Sequence, residues 1–257
     1  MSARVAIVVF PGTNSEDETL RACRAVGCAA ELVASRAGRD ALRGYDAYVL
    51  PGGFAYEDRV RAGAIAAHDG AMAAIREAAG LGKPVLGICN GAQILLESGL
   101  VPDLAGDGRP QAAFARNAPS GRYRSVAVHV RLAIPPDRCT IARTLPAEMV
   151  LPAWASHGEG RLAASSAVLD ELAGAGRVAF RYCDARGNAT AAAIPNGSAL
   201  GAAGLVNARG NVLALMPHPE RAAWNFMRDV TRGTAPLEPS GGIALFAGLR
   251  AAAEAAR

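Results

Sequence analysis

The sequence predicts a doubly wound α/β fold: a mostly parallel sheet with helices on both faces and a smaller antiparallel extension. Three observations carry that prediction. Val5-Ala6-Ile7-Val8-Val9-Phe10 and Val85-Leu86-Gly87-Ile88 are uninterrupted apolar runs of the kind found in strands buried on both faces. Segments with helical periodicity alternate with such runs, which is the pattern of βαβ units. Further along, Val126, Val128 and Val130 alternate with Ala127, His129 and Arg131, the two-residue period of an antiparallel strand with one wetted face. With 257 residues, 51% of them hydrophobic, the chain is long enough to bury a sizeable core, and it reads as a single domain over residues 1–257.

The elements follow in order. After the first strand the chain turns at Pro11-Gly12-Thr13-Asn14, and Ser15 with Glu18 predicts a capping box for a helix carrying Leu20, Cys23, Arg24 and Val26 and stopping at Gly27. Residues 30–33 read as a second strand and 45–50 as a third. The third ends in Pro51-Gly52-Gly53-Phe54, where paired glycines free backbone N–H groups for a ligand. Residues 69–79 have helical periodicity with Met72 and Ile75 inward, and they deliver the chain to the strand beginning near Lys83. A short helix over 92–97 stops at Ser98-Gly99.

Residues 101–121 show no period and read as surface loops, and His129 falls on the solvated face of the strand that follows. Ser156-His157-Gly158-Glu159-Gly160-Arg161 reads as a polar turn and 178–183 as a strand, with a loop running on to Pro195-Asn196-Gly197-Ser198. Residues 212–216 form the last strand and enter Pro217-His218-Pro219-Glu220-Arg221 directly. An alanine-rich helix over 243–255 closes the chain, with Leu245, Phe246 and Leu249 on its buried side.

Composition narrows the classes of function. A formal net charge of +4 is too small to imply nucleic acid, and no run of eighteen uncharged apolar residues or signal-type segment points to a membrane or to export. Five cysteines, Cys23, Cys28, Cys89, Cys139 and Cys183, form no C-x-x-C pair and have no histidines at zinc-finger spacing. Free thiols in a reducing cytoplasm, and no metal site, are the expectation.

One of those cysteines stands apart. Gly87-Ile88-Cys89-Asn90-Gly91 places Cys89 where G-x-S-x-G places its serine, on a sharp strand-to-helix turn that lifts the reactive atom clear of the sheet. A helix N-terminus also favours the thiolate. Pro217-His218-Pro219-Glu220 offers the base: prolines bias the preceding residues toward extended geometry, so His218 and Glu220 share a face and the carboxylate orients the imidazole. Cys89, His218 and Glu220 each follow a central strand, which puts them at the carboxyl edge of the sheet. In that arrangement Cys89 attacks an acyl carbon, His218 moves the proton, and the N–H groups of Asn90 and of the Gly52-Gly53-Phe54 turn hold the oxyanion.

These residues resemble a family. Gly87-Ile88-Cys89-Asn90-Gly91-Ala92-Gln93 together with Pro217-His218-Pro219-Glu220 is similar to the triad (class I) glutamine amidotransferases, whose sheet is flavodoxin-like. Pro51-Gly52-Gly53-Phe54 with Arg61-Ala62-Gly63, His157-Gly158-Glu159-Gly160-Arg161, Pro195-Asn196-Gly197-Ser198 and Asn211-Val212 narrow the resemblance to glutaminase subunits of phosphoribosylformylglycinamidine synthases. The resemblance implies hydrolysis of L-glutamine to glutamate and ammonia by Cys89, His218 and Glu220, with Gln93 and the Gly53-Phe54 backbone contacting glutamine. It implies no cofactor in this chain. Ammonia would pass to an ATP- and Mg-dependent synthase subunit in purine biosynthesis, usually with a small third subunit, and residues 157–161 and 196–198 would serve the partner interface or coupling.

Two departures stand out. The family has a small, flexible Tyr-Gly-Asp run where this chain has Tyr56-Glu57-Asp58, and residues 125–131 lack an expected aromatic. The competing readings are another flavodoxin-like cysteine hydrolase, which would place an acid before the elbow and lack the His-Pro-Glu strand end, and a non-catalytic interaction module, which would not keep all three triad chemistries.

Overall fold

A computed structural model describes residues 2–227 and 238–257. The elements, in chain order, are β1 (Arg4–Val9), α1 (Glu16–Ala25), β2 (Ala29–Ala34), α2 (Gly38–Ala41), β3 (Ala47–Leu50), α3 (Ala71–Gly80), β4 (Val85–Ile88), α4 (Asn90–Glu97), β5 (Ala113–Arg116), β6 (Arg124–Leu132), β7 (Val150–His157), β8 (Glu159–Ala163), α5 (Ser166–Gly174), β9 (Val178–Cys183), β10 (Ala202–Val206), β11 (Val212–Leu215) and α6 (Ala244–Ala255). Among the described residues the large sheet runs β2-β1-β3-β4-β11-β10-β9-β6-β7, and β5 pairs with β8 in a second, two-stranded sheet.

The first five strands of that order are mutually parallel, and β10, β9, β6 and β7 continue the same sheet antiparallel. This is the doubly wound α/β sheet with an antiparallel extension that the apolar runs predict. Every residue of β3, β4 and β11 is buried, as expected for strands covered on both faces. The registers Leu50↔Gly87 and Ile88↔Leu215 bring the carboxyl ends of these three strands level. Whatever follows each strand therefore meets at one edge.

The helices bury the faces their periodicity marks. Met72 and Ile75 of α3, and Leu245, Phe246 and Leu249 of α6, lie in the core. The antiparallel extension is half wetted, as β6 illustrates: Val128, Val130 and Leu132 are buried, His129 and Arg131 half-exposed, and Val126 exposed beyond the reach of the core. No helix of the described residues is long and apolar enough to cross a membrane.

The structure departs from the sequence reading in several places. The loop expected over 101–121 contains β5, whose Phe114 is buried against the core; a four-residue strand is too short to show a period. The polar turn expected over 156–161 is the junction of β7 and β8, broken only at Gly158. Helix α5 and strand β10 lie in stretches where the sequence reading places no element; β10 is Ala-Ala-Gly-Leu-Val, all buried, and its small residues mask a central strand. The capping box is also absent. Ser15 does precede α1, but its hydroxyl makes no cap hydrogen bond, because it serves Arg221 instead.

Candidate active site

Cys89 sits between the last residue of β4 and the first of α4 with φ 50° and ψ −105°, a strained conformation for a residue with a side chain. The flanking glycines are required by space. A Cβ on Gly87 would lie 2.6 Å from the Gly91 carbonyl oxygen, and one on Gly91 would overlap the Leu50 carbonyl. The turn therefore closes only with glycine on both sides. The thiol is 5% exposed, and its sulfur lies 3.7 Å from the Ser156 carbonyl oxygen. All five cysteines are free; burial raises the pKa of the thiols of Cys23, Cys28, Cys139 and Cys183, which disfavours their nucleophilic form.

His218 and Glu220 follow β11 and are buried, with His218 Nδ1 2.5 Å from Glu220 Oε1. The sequence reading expected the pair from extended geometry, and the pairing arises differently. Pro219 is helical (φ −71°, ψ −29°), so Glu220 opens a short 3₁₀ turn and its carboxylate reaches back to the imidazole. The His218 backbone is pinned by a two-way bridge to Trp154 of β7, its N–H donating at 2.8 Å and its carbonyl accepting at 3.1 Å. Burial alone pushes the imidazole's pKa down, but the Glu220 carboxylate and then Cys89 outweigh it and raise the value well above that of an ordinary histidine. With Nδ1 engaged by Glu220, the buried Nε2 makes no hydrogen bond among the described residues and is left for proton transfer. Gly52 makes room for this ring: a Cβ there would stand 2.5 Å from His218 Cε1.

The glycine turn after β3 is narrower in use than expected. Phe54 N–H donates to the Gly12 carbonyl at 2.8 Å, so it is not available to an oxyanion, and its ring is exposed. Gly53 N–H and Asn90 N–H make no hydrogen bond with any described residue and serve as the candidate oxyanion donors, and the neighbouring Gly52 N–H is likewise unengaged among the described residues. Gln93 is buried; its side chain donates to the Glu159 carbonyl at 2.5 Å and accepts from Asn90 Nδ2 at 2.9 Å, so it ties α4 to β8. Arg61 grips Glu97 at the far end of α4 with both its Nε (2.7 Å) and a terminal nitrogen, and Gly63 lets the backbone close on that helix.

Of the two polar segments that the resemblance gave to the partner interface or to coupling, His157, Gly160, Asn196 and Ser198 are buried, Gly197 is exposed, and the segments are bonded to each other. Asn117 anchors them. Its Nδ2 donates to the His157 carbonyl (2.8 Å), and its Oδ1 accepts from Gly160 N–H (3.1 Å) and lies 3.2 Å from His157 Nδ1. Asn196 donates to the Gly160 carbonyl at 2.7 Å, and the Ser198 hydroxyl accepts from Leu162 N–H at 3.0 Å. Burial, and then His218, lower His157 to about 4, which keeps its imidazole neutral. Asn117, 3% exposed, was not legible in a stretch without periodicity. Nor was the role of Arg221. It donates to the hydroxyls of Ser15 (2.8 Å) and Ser156 (3.2 Å) and stands 4.0 Å from Glu18, fastening the segment behind Glu220 to α1 and β7.

Among the described residues no group of three or more His, Cys, Asp or Glu is placed to hold a metal ion. What the arrangement offers is a buried thiol on an elbow, an imidazole backed by a carboxylate, and candidate N–H donors for an oxyanion. That is the equipment of cysteine-dependent acyl transfer on an α/β sheet.

Comparison with known proteins narrows this class. The profile of the CobB/CobQ-like glutamine amidotransferase domain matches residues 2–251. The phosphoribosylformylglycinamidine synthase subunit PurQ of Nitrobacter hamburgensis is 39% identical over 251 residues, covering 98% of each chain. That of Symbiobacterium thermophilum is 46% identical over 220 residues, 85% of this chain and 88% of its own. The solved PurLQS structure from Thermotoga maritima superposes with a TM-score of 0.76 at 28% identity, covering 97% of this chain and 98% of that one. The chain belongs to the glutamine amidotransferase family, in its branch of glutaminase subunits of phosphoribosylformylglycinamidine synthase.

Proposed function

We propose that this chain hydrolyses L-glutamine to glutamate and ammonia at Cys89 and supplies the ammonia to a synthase subunit that makes formylglycinamidine ribonucleotide in purine biosynthesis. The observation that carries the reading is the buried His218–Glu220 pair, level with the cysteine elbow at the ends of neighbouring strands. Cys89, its proton already held by the His218 imidazole, attacks the carboxamide carbon; the oxyanion forms toward the N–H groups of Gly53 and Asn90; the imidazolium then protonates the departing ammonia, leaving a glutamyl thioester. Water, deprotonated by the same imidazole, releases glutamate. Glu220 holds the ring with Nε2 toward the sulfur and stabilises the imidazolium.

The names of the relatives support a synthase partner, and the PurLQS structure from Thermotoga maritima supports a multi-subunit assembly; a small third subunit belongs to this reading through the resemblance. ATP and Mg belong to the synthase chemistry in this reading, and a reducing cytoplasm suits five free thiols. The test is ammonia release from glutamine, measured for the chain alone and after mixing with its synthase subunit. The expected result is a sharp rise on mixing. Absence of glutamine hydrolysis under both conditions would sink the proposal.

A further inference from the structure

The two candidate oxyanion donors come from separate segments, Gly53 on the loop after β3 and Asn90 at the start of α4. Stabilising one oxyanion requires the two at a fixed separation. One side of the loop is held by backbone. The Gly52 carbonyl accepts from the N–H groups of Asn14 and Ser15, each at 3.1 Å, and because the peptide is planar and trans this turns Gly53 N–H the opposite way. Near the donors the other side is held to α4 by the Asn90 side chain, while farther along the loop Arg61 reaches Glu97 at the other end of the helix. The Asn90 amide, 1% exposed, accepts from Ala55 N–H through Oδ1 (2.9 Å) and donates through Nδ2 to Asp58 Oδ1 (3.0 Å) and Gln93 Oε1 (2.9 Å).

The Asp58 end of this link lies in a loop that does not relax by itself. Tyr56, Glu57 and Asp58 have φ of 55°, 61° and 52°, and Val60 has 73°, left-handed values that L residues rarely adopt. Such a run persists only where its surroundings over-determine it. The surroundings here are the Asn90 amide, the Tyr56 hydroxyl donating to Asp69 (2.6 Å) and Tyr56 N–H donating to the Pro11 carbonyl (2.7 Å). Burial raises the Asp58 carboxyl to about 6 against the opposing pull of the Asn90 hydrogen bond, with Glu159 adding to the rise. The carboxylate thus occupies a place that costs it solvation and whose gain is the bond to Asn90.

We propose that Asp58 is a positioning residue: by anchoring the Asn90 amide it fixes the glycine loop against α4 and so sets the separation of the Gly53 and Asn90 N–H donors. The inference rests on the glutaminase reading above. Because only the transition state uses both donors, the loss appears in kcat and hardly in KM. Removing one such donor outright lowers kcat by about a hundredfold or more, so misplacing it should lower kcat roughly ten- to a hundredfold.

The experiment is steady-state glutamine hydrolysis by the wild type, Asp58→Ala and Asp58→Asn, each assembled with the synthase subunit, alongside thermal unfolding. Asparagine keeps an oxygen for Asn90 Nδ2 and alanine does not. The expected result is a kcat lowered roughly tenfold or more in Asp58→Ala, with KM within about threefold of the wild type and most of kcat restored in Asp58→Asn. If Asp58→Ala does not fold, Asn90→Ala breaks the same anchor from the other end; in a cycle of the foldable variants the double change should cost no more than the larger single one. A kcat for Asp58→Ala within about twofold of wild type, equal losses in the alanine and asparagine variants, or an effect on KM alone overturns the positioning role. Such a result in an active wild type leaves the glutaminase reading standing. A wild-type complex that does not hydrolyse glutamine overturns both.

Discussion

The parallel and antiparallel halves of the sheet contribute to the site in different ways. The parallel half delivers the candidate groups at strand ends: Cys89 after β4, His218 and Glu220 after β11, Gly53 after β3, brought level by the registers of buried four-residue strands. The antiparallel half delivers a wall. From it come the Ser156 carbonyl near the cysteine sulfur and the Trp154 bridge that pins His218, and the adjoining two-stranded β5–β8 sheet with its flanking loops adds the Asn117–His157–Gly160–Asn196 network. Parallel strands must end in loops at one edge, so their chemistry is local in sequence. The wall is assembled from segments tens of residues apart, joined by hydrogen bonds between distant partners such as Asn117 with His157 and Asn196 with Gly160.

If chemistry resides at the parallel edge and support in the antiparallel wall, changes at the two places should differ in kind. The largest effect belongs to Cys89→Ala. Glutamine-dependent turnover should fall by about 10⁴-fold or more, while the assembled complex still uses free ammonia; retained glutaminase activity would break the assignment of the edge. Next comes the pair after β11. His218→Ala removes the base, whereas Glu220→Gln disturbs its orientation and the charge beside it, so the glutamine variant should retain about tenfold more activity. Equal losses in kcat would give Glu220 a role of its own.

The wall should show itself in stability. His157 stays neutral in the fold down to about 4, whereas an exposed histidine in the unfolded chain takes up its proton near 6.5. As pH falls through that window the unfolded state gains a proton that the folded state refuses, so stability declines, by about 3 kcal/mol at the lower end. His218 works in the opposite sense: its raised pKa adds stability that is complete below about 6.5 and is lost as pH rises toward its folded value. Denaturant unfolding at pH 7 and pH 4.5 should therefore show a smaller acid loss in His157→Gln than in the wild type. Identical losses would remove His157 from the account.

The smallest effect sharpens the comparison within the edge itself. Glu57 adopts φ 61° where the resembled family carries glycine, and its ion pair to Arg59 is exposed on both sides. Glu57→Gly should relieve strain worth about 1 kcal/mol, against a slightly larger backbone entropy in the unfolded chain, and raise the thermal midpoint by about 2 °C or less. A lowered midpoint would mean that the exposed pair contributes more than such pairs usually do.

Much of the edge was legible because its requirements are local. Gly87, Cys89 and Gly91 announce the elbow since only glycine fits beside the Leu50 and Gly91 carbonyls, and His218 with Glu220 stand two apart at a strand end. The wall was opaque for a physical reason. Asn117, His157 and Asn196 look like loop polar residues until tertiary contacts bury them, and β10 hides among small residues. The capping box failed in the same way: Ser15 and Glu18 satisfy the local rule, yet Arg221, 206 positions away from Ser15, claims the hydroxyl.

The sequence by itself determined the alternation of buried strands and helices, and with it the edge on which a cysteine, a histidine and a glutamate would meet, because hydrophobic period and glycine sterics act over a few residues. Only the tertiary structure decided which N–H groups stay open, how Glu220 reaches His218 through a helical Pro219, and that Glu57 takes a left-handed shape. Those outcomes depend on which donor reaches which acceptor across the fold, and hydrogen bonds between distant segments leave no period in the chain.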